Sequence, residues 1–293
     1  MLAMAEIGLV RFAEVALPIC EASLKRHRTR FSKKQFTQPQ LLTILCLMKY
    51  EDWTYREAEV RLSEHGELRK ALRLKSVPNH TTLHRFLLRL EETAIERSMA
   101  EILRWVPLPK GRRRLRVAVD ATGLSTGACS TFFVRRQQQH TQKPRAWSHW
   151  LKWLVAVDVD RQLLLVQRAH AGLTNDGTRL RGLLEQLPVE CVPGLVLADA
   201  EFDSELNHRF IRRTLHAESV IPAKRGKATW RIHGVRAKMR SEFPKQKYCR
   251  RALVESVFST AKRKLSARAQ GRTFRTQCLQ ALLLGLSYNF YKL

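Results

Sequence analysis

Acidic side chains are scarce in this chain. Asp and Glu number 26 among 293 residues against 53 Lys and Arg, which leaves a formal net charge of +27. Such an excess of cations is typical of proteins that bind polyanions. The excess is uneven, because residues 1–105 carry 18 basic and 13 acidic side chains whereas residues 106–293 carry 35 and 13. We therefore expect the second part of the chain to supply most of the positive field.

The chain also lacks long apolar runs. The longest, residues 41–48 and 279–290, fall short of the roughly 20 residues that a membrane-spanning helix needs. The first residues include Glu6 and Glu14 and have no basic leading segment, so they do not read as a secretion signal. We expect a cytoplasmic protein with no membrane partner.

Closely spaced cysteines are missing as well. The six cysteines lie far apart, and none forms a Cys-x-x-Cys pair. This spacing argues against zinc sites and favours free thiols in a reducing compartment. A hydrophobic content of 44% is nevertheless enough for a substantial core.

Residues 1–105 have the periodicity of helices. Thr54 and Glu57 form the reciprocal capping pattern that marks a helix start. In the segment HTTLHRFLLRL, residues 80–90, apolar side chains recur at helical spacing and leave Arg85 and Arg89 on the opposite face. Two interpretations stay open here: a helix-turn-helix whose last helix enters a DNA groove, and an ordinary helical bundle with a solvated face.

A Pro- and Arg-rich segment at 107–116 marks a boundary, after which the pattern changes to short β-like runs. We predict a helical domain over residues 1–106 and a mixed α/β domain over residues 107–293, with helices packed on a central sheet. The expected strands are 114–120, 151–158, 162–169, 194–199 and 218–222, and the expected helices are 178–187, 204–215 and one from about 250.

Two of the predicted strands end on an aspartate. Asp120 follows the apolar run of residues 115–119, and Asp199 follows residues 195–198. The ends of strands in an α/β sheet are where ligands collect, although an aspartate at such a place also commonly caps a turn. Two further aspartates, Asp176 and Asp203, precede predicted helices, and we expect them to cap those helices.

A third acidic residue lies in the segment 248–265, whose apolar residues form one helical stripe. At about 100° per residue, Tyr248, Arg251, Glu255 and Lys262 project within a narrow arc roughly a quarter-turn from that stripe. Glu255 is therefore expected at the rim of the buried face, within reach of the sheet. An exposed Arg251–Glu255 pair, worth about 0.3–0.5 kcal/mol, would explain only two of these four residues.

These residues are similar to the signature blocks of bacterial insertion-sequence transposases of the DDE type. The spacing Tyr-x2-Arg-x3-Glu-x6-Lys of Tyr248, Arg251, Glu255 and Lys262 resembles their third block. The Asp-Ala-Thr that begins at Asp120 resembles the first block, and the Asp-Ala-Glu-Phe-Asp-Ser that begins at Asp199 resembles the second. The resemblance implies a ribonuclease-H-like catalytic core with Asp120, Asp199 and Glu255 as catalytic residues, preceded by a DNA-binding region.

The chemistry of phosphodiester cleavage agrees with three carboxylates. Two divalent ions can activate the attacking oxygen and stabilise the leaving one, and hard ions prefer oxygen ligands. By the resemblance, Asp120, Asp199 and Glu255 hold two Mg²⁺ ions, for which Mn²⁺ can substitute. The expected DNA-binding residues are Tyr248, Arg251, Lys262, Arg85 and Arg89, helped by basic runs at 222–231 and 262–272.

The reaction implied by the resemblance is nicking at the terminal inverted repeats of a mobile element, followed by joining of the 3′-hydroxyl end to target DNA. A homodimer is expected because two element ends must be held together. One alternative is an inactive or domesticated transposase that only binds specific DNA. Another is a ribonuclease-H-like nuclease that cuts without joining.

Overall fold

The computed structural model describes residues 6–31, 33–107, 114–127, 150–172, 176–224 and 234–293. The chain forms two compact units. One consists of Met1–Val106 together with Ala261–Leu293, and the other is Pro107–Thr260. We call them the helical unit and the sheet unit.

The described residues form helices throughout the N-terminal region and between and after the strands of the sheet. In chain order they are α1 (Leu9–Ser23), α2 (Gln38–Glu51), α3 (Tyr55–Glu64), α4 (Gly66–Ala71), α5 (His80–Arg89), α6 (Glu92–Trp105), α7 (Leu180–Leu184), α8 (Glu205–Arg209), α9 (Gly234–Ser241), α10 (Lys245–Tyr248), α11 (Ala252–Lys264) and α12 (Phe274–Lys292). Among the described residues, no helix combines the length and the apolar character that crossing a membrane requires.

The helical unit is built around two helices that are apolar on nearly every side. Helix α12 packs against α1, α2 and α6, so the last helix of the chain forms part of the core of the N-terminal helices. The buried hydroxyl of Ser287 on α12 donates a hydrogen bond to the carbonyl oxygen of Leu283 at 2.8 Å. The helical unit thus includes residues 261–293, which the sequence pattern grouped with the α/β domain.

The predicted capping box at the start of α3 is confirmed, since Thr54 N donates to Glu57 Oε2 at 2.7 Å and Glu57 N donates to Thr54 Oγ1 at 3.2 Å.

A five-stranded mixed sheet forms the core of the other unit. Its strands are β1 (Leu115–Ser125), β2 (Trp150–Asp158), β3 (Leu163–Ala171), β4 (Pro193–Ala198) and β5 (Glu218–Val220). The spatial order is β3-β2-β1-β4-β5, with β1, β2 and β3 antiparallel and β1, β4 and β5 parallel. The predicted fold class, a mixed α/β sheet with flanking helices after a helical N-terminal region, is confirmed.

Three local predictions differ from the structure. Strand β1 continues past Asp120 to Ser125, because its pairing with β2 extends to Trp150. The helix predicted at 178–187 is a 3₁₀ turn at Asp176–Thr178 followed by the short α7. The helix predicted at 204–215 is α8 followed by a π-helical turn at Phe210–Thr214.

The described cysteines are free thiols, as the sequence predicts. They are Cys20, Cys46, Cys191, Cys249 and Cys278. Of these, only Cys249 is exposed.

Candidate active site

Asp120 and Asp199 directly follow a pair of residues that are in register on neighbouring parallel strands. Val119 of β1 pairs with Ala198 of β4; Asp120 is the next residue of β1, and Asp199 is the first residue after β4 ends. Parallel neighbours are about 4.8 Å apart, and residues in register project to the same face of the sheet. Strand β4 ends at Ala198, so Asp120 occupies the position on β1 where its parallel partner stops. The predicted strand end at Asp199 lies within one residue of the end of β4, whereas the predicted strand end at Asp120 is wrong, since β1 runs on to Ser125.

Backbone amides orient both carboxylates. Asp120 Oδ1 accepts a hydrogen bond from Ala121 N at 2.8 Å. Asp199 Oδ1 accepts one from Glu201 N at 2.9 Å and so caps the 3₁₀ turn Ala200–Phe202. Asp199 therefore has the turn-capping contact that was the alternative to a ligand role, while still standing beside Asp120.

Helix α11 lies on the same face of the sheet. The ring of Phe258 packs on Trp153, with centroids 5.7 Å apart, and Trp153 pairs with Thr122, two residues along β1 from Asp120. Val254 and Val257 are fully buried, whereas the side chain of Glu255 is 59% exposed. The apolar stripe therefore faces the core and Glu255 stands at its rim, as the helical spacing predicts.

Arg251 links two of the predicted catalytic carboxylates. It lies in the 3₁₀ turn Cys249–Arg251 between α10 and α11. One terminal nitrogen donates to Asp120 Oδ2 at 3.0 Å and the other to Glu255 Oε1 at 2.6 Å. Its guanidinium also lies 5.8 Å from the ring centroid of Tyr248, within cation–π range. Asp120, Tyr248, Arg251 and Glu255 thus meet in one cluster.

Burial and neighbouring charge shift the pKa values of three residues in this cluster. Burial raises the pKa of Asp120 to about 6, and the charge of Asp199 adds to the rise, while the Ala121 amide and Arg251 oppose it. Burial also raises the pKa of Tyr248, with Asp199 among the smaller contributors. Burial disfavours the charged form of Arg251, but Tyr248 and the nearby carboxylates outweigh it and raise the pKa of Arg251. The charge of Asp199 contributes to the pKa shifts of Asp120, Tyr248 and Arg251, so Asp199 lies within electrostatic range of all three residues.

The donor chemistry of the cluster fits a hard divalent cation, and its arrangement fits one only in part. Asp120 and Asp199 are adjacent oxygen donors, as Mg²⁺ prefers. Glu255, however, contacts Arg251, whose positive charge lies between it and Asp120. Within the described ranges, no three His, Cys, Asp or Glu side chains are grouped so that they could hold a metal ion.

The remaining predicted DNA-binding residues belong to the helical unit. Arg85 and Arg89 are exposed on α5, whose apolar side is buried. The start of α5 is fixed by Glu59 of α3, which accepts from the backbone N of His80 at 2.9 Å and from Asn79 Nδ2 at 3.0 Å. Lys262 is an exposed residue of α11, and partial burial lowers its pKa. Of the two basic runs, residues 225–233, including Trp230 and His233, lie outside the described residues.

Sequence reasoning missed the role of Asp203. It does not cap α8, whose N-cap residue is Ser204. Its buried carboxylate instead accepts from Arg236 Nε at 2.8 Å, from a terminal nitrogen of Arg236 at 2.7 Å and from Lys224 N at 2.9 Å. This pair ties the turn after Asp199 to α9. No spacing signal connects residues 33 positions apart, so the sequence offered no way to find it.

Asp176 likewise is not the helix cap that the sequence predicted. Its side chain is 2% exposed and contacts Lys152 on β2 and His170 on β3, the latter at 3.2 Å. Lys152 pairs with Gly123 of β1. Gly123 is three residues after Asp120, and successive residues of a strand point to opposite faces of the sheet. This buried group therefore lies on the opposite face from the carboxylate cluster. It is a structural ion group.

Comparisons with known proteins identify the family of the chain. A family model described as Transposase DDE domain matches residues 111–290, more than half of the chain. A search of curated proteins gave no match. Among solved structures, the chain is similar to a piggyBac transposase in a synaptic complex with hairpin DNA, at 10% identity and a TM-score of 0.49, over 97% of this chain and 73% of that one. From the match over residues 111–290, this chain belongs to the transposase DDE domain family.

Proposed function

We propose that this DDE-type transposase binds the terminal inverted repeats of an insertion sequence, nicks the DNA there and joins the 3′-hydroxyl end to target DNA. Asp120, Asp199 and Glu255 are its catalytic carboxylates. One observation carries this proposal: Asp120 lies beside Asp199 and shares Arg251 with Glu255, on one face of the mixed sheet. The strand order β3-β2-β1-β4-β5 also supports a ribonuclease-H-like core.

Metal ions complete this proposal. Two Mg²⁺ ions, or Mn²⁺ in their place, would be held by Asp120, Asp199 and Glu255 and would supply charge relief at the phosphate and an activated attacking oxygen. The backbone amides of Ala121 and Glu201 keep the two aspartates aimed toward this site. The partial exposure of Glu255 gives DNA access to it.

The residues beside the carboxylates would bind the DNA. Arg251 carries five N–H donors in a planar fork, two of which face Asp120 and Glu255, and the same fork suits phosphate oxygens. Tyr248 has its ring next to Arg251 and Phe243, which orients it to stack on a DNA end. Lys262 would contribute a phosphate contact farther along α11.

The test is a cleavage and joining assay. The substrate is end-labelled DNA that carries the inverted repeats flanking the gene, together with a supercoiled target and Mg²⁺. We expect Asp120→Asn, Asp199→Asn and Glu255→Gln each to abolish nicking and joining while DNA binding is retained. Full cleavage by any one of these variants would remove that residue from the catalytic set.

One alternative is supported by a specific observation. Arg251 contacts both Asp120 and Glu255, so a cationic side chain already pairs with two of the three carboxylates, as it would in a transposase that only binds DNA. That alternative predicts sequence-specific binding with no cleavage by the wild-type protein in Mg²⁺ or Mn²⁺. A nuclease that only cuts would give hydrolysed ends and no joined strands on the same gel.

The setting of this activity is the bacterial cytoplasm, where the partners are the element ends and the target DNA. We propose a homodimer on paired ends, because two cuts must be made in register. Mass measurement of the protein in solution, with and without repeat DNA, tests this: a monomer in both conditions contradicts it.

A further inference from the structure

A groove in the helical unit is lined by basic side chains from two separate segments. It has a volume of about 340 Å³. The connection between α1 and α2 contributes His27, Arg28 and Lys33, and helix α5 contributes Arg85 and Arg89. None of the described residues that line it is acidic. We call it the basic groove.

The sequence concentrates cations at this place. Residues 24–37 contain six Lys or Arg and no Asp or Glu, and α5 contains two Arg and no acidic residue. Like charges brought together repel one another, so such a cluster costs stability unless a counter-charge is nearby.

The basic groove has no such counter-charge within the described part of the chain. Elsewhere on the same unit, exposed cations have acidic partners: Lys70 pairs with Glu67, and Arg73 pairs with Glu21. The ion pairs of the described residues include none of the groove cations Arg28, Lys33, Arg85 and Arg89. The groove therefore presents positive charge that is not paired with a carboxylate in any of these ion pairs.

The backbone that carries these cations is held in place. Gln38 fixes the α1–α2 connection, since its backbone N donates to Arg26 O at 2.9 Å and its Nε2 donates to Lys25 O at 3.0 Å. Gln35 Nε2 donates to Ser76 Oγ at 3.2 Å. On the other wall, the buried Leu83 and Phe86 anchor α5. A fixed concave surface loses little entropy when it binds an extended polyanion.

We propose that the basic groove binds the phosphate backbone of duplex DNA, so that Arg85 and Arg89 contact phosphates and not base edges. The proposal deepens the proposed function, since it takes DNA as the substrate. A helix that reads bases must project into the major groove, whereas Arg85 and Arg89 line a concavity together with Arg28 and Lys33. Contacts made only by cations position DNA and carry no sequence information.

The test uses the salt dependence of binding. The double variant Arg28→Gln/Arg85→Gln removes one cation from each wall, and Lys70→Gln/Arg97→Gln on α4 and α6 is the charge-matched control. Binding is measured by fluorescence anisotropy on two duplexes of equal length and unrelated sequence, over a series of KCl concentrations. Circular dichroism checks that each variant is folded.

For the groove variant, we expect the slope of log K against log salt concentration to fall by about 1.8, at about 0.9 for each lost phosphate contact. The loss of affinity should be equal on the two duplexes, while Arg28→Lys/Arg85→Lys and the control keep the wild-type slope. An unchanged slope overturns the proposal, as does a loss confined to one duplex or an equal loss in the control.

The same protein preparations separate this inference from the proposed function. The groove variants keep Asp120, Asp199 and Glu255 intact. If the wild-type protein cleaves and joins DNA while the groove variant keeps the wild-type slope of log K against log salt concentration, the groove proposal is overturned and the proposed function stands. A slope that falls as expected in a protein that never cleaves overturns the proposed catalysis and leaves the groove standing.

Discussion

Asp120 and Asp203 both lie in the sheet unit and both contact an arginine, yet their pKa values move in opposite directions. Burial acts to raise the pKa of both carboxyl groups, and the other contacts decide the net direction. For Asp203, the two-pronged contact of Arg236 and the Lys224 amide outweigh burial and lower the pKa. For Asp120, burial prevails and the pKa rises to about 6, because Arg251 gives it a single contact and Asp199 adds like charge.

The difference separates a structural carboxylate from the one that we propose to be catalytic. Asp203 is fully paired and buried, so it has no capacity left for a ligand. Asp120 is partly accessible, incompletely paired and crowded by a second acid, which is how sites that bind cations or transfer protons are commonly built. Asp203 lies four residues after Asp199, within the same segment that resembles a transposase block, so position in the sequence alone does not distinguish its structural role from a catalytic one.

The largest expected effect is on catalysis. We expect Asp120→Asn to lower DNA nicking by a factor on the order of 10³ or more, as removal of a catalytic group commonly does. Asp203→Asn should lower nicking only in proportion to the folded protein that it loses. Single-turnover nicking rates, corrected for the folded fraction, check this; equal losses in both variants would erase the distinction between them.

For the free energy of unfolding, we expect a larger effect at the Asp203 site than at the Asp120 site. Arg236→Met leaves the buried Asp203 carboxylate without its main partner and should destabilise the fold by about 3–5 kcal/mol. The matched change Arg251→Met, beside the more accessible Asp120, should cost less than about 2 kcal/mol. Urea unfolding in EDTA measures both. A cost for Arg251→Met as large as that for Arg236→Met would contradict the account.

A smaller effect concerns pH. The pKa of Asp120 is about 6 in the folded state against a usual 3.8, so the folded protein binds this proton more tightly than the unfolded chain. Its contribution is present below about pH 4 and is lost as pH rises through 6, a total loss of about 3 kcal/mol. Unfolding in EDTA across this range should therefore show the wild type losing stability relative to Asp120→Asn. A constant difference between the two proteins would contradict a raised pKa.

The smallest expected effect is stabilisation by metal. At ten times its dissociation constant, a cation that binds only the folded state adds about 1.4 kcal/mol. Mg²⁺ should therefore raise the unfolding midpoint of the wild type and leave that of Asp199→Asn unchanged. Asp203→Asn, destabilised but with its site intact, is the control and should keep the shift.

The strands that precede the two aspartates and the position of Glu255 on its helix could be predicted from local sequence patterns. Buried apolar runs that lead into Asp120 and Asp199 fixed two strands, and register then brought the aspartates together. The spacing of Val254 and Val257 predicted that Glu255 would stand at the rim of a buried stripe. The two strands and the helical stripe can be inferred from neighbouring residues alone, whereas the register of β1 against β4 comes from the fold.

Features that depend on distant partners were not predictable. Helix α12 is apolar on nearly every side, which predicts burial but not the helices it packs against. Residues 121–125 include a glycine and two small polar residues, and they extend β1 only because β2 offers a partner. The pairing of Asp203 with Arg236 bridges a basic stretch in which any cation would have been an equal candidate.

The most direct test of the catalytic site is anomalous diffraction from crystals grown with Mn²⁺ and terminal-repeat DNA. The account predicts two manganese peaks about 3.5–4 Å apart, bound by Asp120, Asp199 and Glu255, with Arg251 turned toward a phosphate. Manganese bound elsewhere, with Arg251 still joining Asp120 to Glu255, would contradict it.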